Sequence, residues 1–122
     1  MAIDRTILVA EDDELIRAIM CDVLVDHGFT PAPAASAKEA VDIIESRADL
    51  RAAFIDIDLP ERGAGYGVAR RMHDLHPGVK IVFTSGRARG EYQHEGIADC
   101  EFVPKPYLPE RVCDLIADRL GA

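Results

Sequence analysis

Residues Ala52 to Ile55 form a short apolar run, Ala-Ala-Phe-Ile, that ends on Asp56 and is closed by Ile57-Asp58-Leu59-Pro60. A brief unbroken apolar run with turn signals behind it predicts a strand buried on both faces, since a strand with one wet face would alternate. Strands of that kind belong to parallel sheets covered by helices, and a doubly wound sheet places its chemistry at their carboxyl ends. Asp56 is therefore the residue to explain. Alone, an aspartate there is a turn former or a helix cap, so its meaning depends on what the other strand ends carry.

Taken in order, Thr6 to Ala10 is a second run of the buried type, and it stops at Glu11-Asp12-Asp13. Leu15, Ile16, Ile19, Met20, Val23 and Leu24 then recur at helical spacing up to His27-Gly28, where glycine can take the left-handed cap. Phe29 to Ala35 predicts a strand on a sheet edge, because Pro31 and Pro33 lack the amide hydrogens that a central strand must donate. Ser36-Ala-Lys-Glu39 is a capping box, and Ala40, Val41, Ile43 and Ile44 carry a second helix toward Arg47. Ala52 to Ile57 is the third strand. The glycines at 63, 65 and 67 lack the GxGxxG spacing of a dinucleotide fingerprint and read as a flexible loop. Val68, Ala69, Met72 and Leu75 follow as a third helix, and Val79 to Thr84 as a fourth strand. Residues 86–99 have almost no apolar face and predict a short or poorly formed helix. Glu101 to Pro104 is a fifth strand, again an edge, and Pro109 opens a last helix with Val112, Leu115, Ile116 and Leu120 on one face.

Five strand-helix units with prolines in strands two and five predict an α/β fold: a doubly wound, five-stranded parallel sheet in the order 2-1-3-4-5, flavodoxin-like. That order makes strands one, three, four and five successive neighbours about 4.8 Å apart. Glu11, Asp12, Asp56, the Thr84-Ser85 pair and Lys105 then share one rim. The length suits one domain, read as residues 1–122.

Composition narrows the function classes. Fourteen Lys and Arg against twenty-two Asp and Glu give a net charge of -8, with no basic stripe for a nucleic-acid backbone. No apolar segment approaches the roughly 18 residues that span a bilayer, and the first residues lack the pattern of a signal peptide, so a soluble cytoplasmic protein is expected. Cys21, Cys100 and Cys113 show neither disulfide nor zinc spacing and read as core thiols. His27, His73 and His76 fall near helix C-termini, where capping explains them.

Three carboxylates on one rim repel one another unless a cation sits among them. An all-oxygen cluster without His or Cys selects a hard divalent ion, and an open rim suits Mg²⁺ better than a calcium cage. With Lys105 opposite and a hydroxyl between, the set forms a clamp for a transferring phosphoryl group around a carboxylate nucleophile.

At this point the whole chain resembles the receiver (CheY-like) domain of two-component response regulators, of the stand-alone type. The matching motifs are Glu11-Asp12 after strand one, Asp56-Ile-Asp-Leu-Pro60 after strand three, a hydroxyl followed by a small residue after strand four, and Phe102-Val-Pro-Lys105-Pro106 at strand five. The resemblance implies that Asp56 accepts a phosphoryl group from a histidine kinase or a histidine phosphotransfer protein and passes the signal to a downstream protein. It implies that Asp12, Asp56 and the carbonyl of Asp58 ligate Mg²⁺, that Glu11 holds a metal-bound water, and that Lys105 contacts the phosphoryl group. It also implies a cis Lys105-Pro106 bond and a switch that draws in Ser85 or Thr84, turns Phe102 inward and reshapes a partner surface around residues 85–120. Ser85 is preferred to Thr84 as the switch hydroxyl because Gly86 supplies the small residue after it. The chain departs from the family where Ala64 replaces the acid before the loop glycine and where Phe102 lacks a hydroxyl. Such a protein is a signalling phospho-acceptor rather than an enzyme, with at most self-catalysed phosphotransfer and slow autodephosphorylation. The competing reading is a phosphatase similar to the haloacid dehalogenases, with Asp56 as nucleophile and Asp58 as acid and base. It is opposed by the motif's place on the third strand rather than the first.

Overall fold

A computed structural model describes residues 5–86 and 100–121 of the chain. Its elements run β1 (Thr6–Ala10), α1 (Glu14–Asp26), β2 (Thr30–Ala34), α2 (Ala37–Ser46), β3 (Leu50–Asp56), α3 (Ala64–Leu75), β4 (Lys80–Ser85), β5 (Cys100–Pro104) and α4 (Pro109–Leu120). All four strand pairings are parallel and the sheet order is β2-β1-β3-β4-β5. The proline-bearing strands are the two edges. The helix expected within 86–99 falls almost entirely outside the described residues.

Alternate residues of the central strands feed two cores. Leu8, Ile55, Ile81 and Phe83 point to the face covered by α2 and α3, whereas Ile7, Val9, Phe54 and Val82 point to the face covered by α1 and α4. Burial on both faces is why these strands read as continuous apolar runs. β3 begins earlier than the apolar pattern suggests, because Leu50 pairs with Thr6 before a register shift brings Ala52 opposite Ile7 and leaves Arg51 exposed.

The helix ends follow from local chemistry. Ser36 Oγ accepts from the Glu39 amide at 3.1 Å, and Glu39 returns the favour by accepting from the Ala35 amide at 3.1 Å, so the box closes one residue earlier than its usual form. Gly28, with φ 85°, turns the chain after α1. The apolar stripe of α1 is wider than its buried face: Met20 and Leu24 are in the core, but Leu15 is 69% exposed and Ile19 is 44% exposed.

Ser36→Ala removes one half of the capping box, and the expected loss is about 1 kcal/mol of unfolding free energy with unchanged cooperativity. Urea unfolding followed by circular dichroism checks this, and a loss below 0.3 kcal/mol, on the order of the measurement error, contradicts the assigned role.

Candidate functional site

The rim formed by the strand ends gathers what the sequence placed there. Ligand oxygens of Glu11, Asp12 and Asp56 all lie within 4.8 Å of one another. At an effective dielectric near 20, two unit charges that far apart repel by about 3 to 4 kcal/mol, so the cluster needs a cation. Lys105 supplies one. Its Nζ donates to Asp56 Oδ2 at 2.7 Å and lies 3.0 Å from Glu11 Oε1. The second contact is close but falls outside hydrogen-bond geometry, so Glu11 Oε1 remains a buried oxygen with no directed donor among the described residues.

Each acid is fixed by backbone around it. The Glu11 amide donates to the Ala34 carbonyl, extending the β1-β2 ladder, and Arg17 donates to the Glu11 carbonyl at 2.9 Å. Glu11 Oε2 accepts from the Asp13 amide at 3.1 Å, while Asp13 caps α1 by accepting from Ile16. Asp56 Oδ1 accepts from the Asp58 amide at 3.0 Å. Glu11 and Asp56 are only 2% and 5% exposed, whereas Asp12 faces solvent.

Burial raises the Glu11 pKa above the usual carboxylate value, the Asp13 amide and Lys105 pull it back, and the charge on Asp56 adds to the rise. Burial works against the Lys105 ammonium, but its hydrogen bond to Asp56 and its close ion pair with Glu11 outweigh that and raise its pKa. A lysine raised in this way contributes its stability below its unfolded pKa of about 10.4 and loses it only at more alkaline pH. The ammonium is therefore in place throughout the neutral range.

Other predicted residues lie in different roles. The Asp58 carboxylate accepts from the Gly63 amide at 2.8 Å, which ties it to the loop that starts α3. Thr84 stands opposite Asp56 in the β3-β4 register, and its hydroxyl oxygen is buried without a hydrogen-bond partner among the described residues. Ser85 is buried at the end of β4, where its carbonyl accepts from the Lys105 amide at 3.0 Å and so aligns Lys105 with the rim. Phe102 is already buried, in register with Phe83, so the expected inward turn has no outward starting point here. The Lys105-Pro106 bond is cis, and so is Leu59-Pro60.

Sequence reasoning took Gly65 for part of a flexible loop, whereas it lies in the first turn of α3, and it passed over Tyr107. A Cβ at Gly65 would meet the Asp56 carbonyl oxygen at 2.2 Å, so only glycine lets α3 approach the strand end that carries the acid. The Tyr107 ring packs edge-on against Phe54, with centroids 5.1 Å apart.

A buried carboxylate at the end of a central strand, two further acids and an ammonium constitute a phosphoryl-acceptor arrangement. The family model described as the response regulator receiver domain matches residues 7–117. The chain belongs to the receiver-domain family of response regulators. Among similar proteins, the sensor kinase CckA of Brucella abortus is 29% identical over 118 residues, which is 94% of this chain and 12% of that protein. A solved response regulator receiver protein from Sinorhizobium medicae is 27% identical, with TM-score 0.87, over 96% of this chain and 94% of that one. A CheY-like receiver domain protein from Methanospirillum hungatei is 28% identical, with TM-score 0.84 and the same coverage. The receiver domain thus spans about an eighth of the curated sensor kinase it matches.

Receiver domains serve signalling as phospho-acceptors, and this membership sets aside the phosphatase reading. In this receiver domain the Asp58 carboxylate is engaged with the Gly63 amide, and Asp56 closes the third strand, not the first. No helix among the described residues is long and apolar enough to cross a membrane.

Lys105→Met leaves two buried like charges facing each other. Its expected cost in divalent-free buffer is about 1–3 kcal/mol, below the loss for a fully buried pair because the lysine side chain is 24% exposed. Adding Glu11→Gln should restore at least about half of that loss. Unchanged urea midpoints in both variants would show that the carboxylates do not depend on the ammonium.

Proposed function

We propose that Asp56 is the residue phosphorylated, by a histidine kinase or a histidine phosphotransfer protein, and that Mg²⁺ held at Glu11, Asp12 and Asp56 is required. The observation that supports this most is the convergence of three acidic side chains with Lys105 bridging two of them. In the transfer, an Asp56 carboxylate oxygen attacks phosphorus, the phosphorus-nitrogen bond of the donor breaks, and its electron pair returns to the imidazole nitrogen, which then takes up a proton.

The residues present fit a small hard cation, because every donor is oxygen and Asp12 lies open to solvent. When bound, the ion would offset the negative charge shared by the acids and the incoming phosphoryl oxygens. Glu11, Asp12 and Asp56 would hold it together with the Asp58 carbonyl, and Lys105 would turn from its pairing with Asp56 toward the phosphoryl oxygens.

Residues 1–122 act in this reading as a single receiver domain. Phosphorylation replaces the single negative charge of the Asp56 carboxylate with a phosphoryl group that carries about 1.5 to 2, and gives the hydroxyl at the end of β4 a new acceptor. Both Ser85 and Thr84 remain candidates. Ser85 abuts Lys105 through the backbone, whereas the Thr84 hydroxyl is the one that lacks a hydrogen-bond partner among the described residues. The readout is then a change in the partner surface around residues 85–120, of which 87–99 lie outside the described residues.

Incubation with acetyl phosphate and Mg²⁺, followed by intact mass spectrometry, is expected to show one phosphoryl group per chain and none in EDTA. Transfer that proceeds unchanged in EDTA contradicts the metal requirement. Sustained turnover of p-nitrophenyl phosphate contradicts the acceptor reading in favour of a phosphatase.

A further inference from the structure

Arg17 stands where helix electrostatics would not place a cation. It lies in the opening turn of α1, near the positive end of the helix dipole, where acids are favoured and bases are not. Its side chain turns back toward the helix start, as long side chains on a helix tend to. There Nη1 donates to the Glu11 carbonyl at 2.9 Å and, at a longer 3.5 Å, to the Asp12 carbonyl. One half-buried guanidinium thus spans the backbone of the two acids that follow β1.

The helix itself has no need of these bonds, because Asp13 already caps it by accepting from the Ile16 amide. Glu11 is held in other ways as well: its amide donates to the Ala34 carbonyl, and its Oε2 accepts from the Asp13 amide. Asp12 is different. It faces solvent, and its carboxylate accepts no hydrogen bond among the described residues, yet one of its oxygens lies within 4.8 Å of ligand oxygens on Glu11 and Asp56. Repulsion from the two buried acids favours turning that carboxylate out to water. Its direction toward the rim is therefore set by the backbone of residues 11–13, and Arg17 is the side chain that grips the carbonyls of that backbone.

We propose that Arg17 is a positioning residue for the cation site, clasping the Glu11 and Asp12 carbonyls so that the Asp12 carboxylate stays aimed at Glu11 and Asp56. Ligands ordered before the ion arrives lower the cost of binding it. The charge of Arg17 acts in the opposite sense, since a guanidinium beside two acids repels a divalent cation. Geometry and charge therefore predict opposite results when the guanidinium is removed. The inference rests on the phosphoryl-acceptor reading for the purpose of the cation, whereas the clasp belongs to the β1-α1 turn alone.

The test compares Arg17→Met, which keeps a long side chain but has neither donor nor charge, with Arg17→Lys, which keeps both. Mg²⁺ affinity is read from the amide shifts of the intact chain in an NMR titration, and urea midpoints confirm that each variant is folded. Losing a partner behind a metal ligand weakens binding by about 10-fold at the lower end; that loss is expected for Arg17→Met, with Arg17→Lys within about 3-fold of wild type. Unchanged or tighter binding in Arg17→Met overturns the proposal, and so does an equal loss in both variants. If the series behaves as expected but the wild-type chain takes no phosphoryl group from acetyl phosphate and Mg²⁺, the acceptor reading falls and the role of Arg17 stands.

Discussion

The site depends on one ammonium. Lys105 stands against two nearly buried carboxylates, at 2.7 Å from Asp56 and 3.0 Å from Glu11, and without it their mutual repulsion would oppose the packing of β1 against β3. The sheet order makes the arrangement possible, because β1, β3, β4 and β5 lie side by side and end on the same rim. Backbone pairing carries Lys105 to its position: its amide donates to the Ser85 carbonyl, continuing the β4-β5 ladder past the last strand residue. An interaction that already balances charge before any phosphoryl group arrives can be redistributed when one does, which is what a signalling acceptor requires.

Packing beneath the rim serves the same end. Gly65 lets α3 lie against the backbone of Asp56, with its amide donating to the Ile57 carbonyl at 2.6 Å. Tyr66 meets Phe83 edge-on, and Phe102 sits buried beside the same ring, so the end of β4 is backed by aromatic surface. Displacements there are resisted by a close-packed interior and resolve into discrete alternatives rather than gradual drift.

Much of this was legible in the residues. Strands buried on both faces betray themselves as unbroken apolar runs, and the prolines at 31, 33 and 104 mark edges because a missing amide hydrogen cannot be hidden in a central ladder. Asp56, Glu11, Asp12 and Lys105 were found because topology alone brings strand ends together. What stayed hidden depends on contacts that spacing does not encode. Periodicity places Leu15 and Ile19 on the apolar side of α1, but it cannot say that the neighbouring elements leave them exposed. Gly65 reads as flexibility, whereas its role is to let α3 approach the backbone of Asp56. Asp58 enters the reading through its backbone carbonyl, and nothing in the spacing shows that its carboxylate accepts from the Gly63 amide. Phe102 reads as a ring poised outside, yet it is in the core.

The central claim is that the acid at the end of β3 is the one that forms the acyl phosphate. Borohydride reduces an acyl phosphate to the alcohol, so a phosphorylated aspartate is recovered as homoserine and can be located by peptide sequencing in a mass spectrometer. After acetyl phosphate and Mg²⁺, homoserine is expected at position 56 alone and absent from Asp56→Asn. Homoserine at position 12 or 58 in the wild-type chain, or undiminished labelling in Asp56→Asn, would contradict the account.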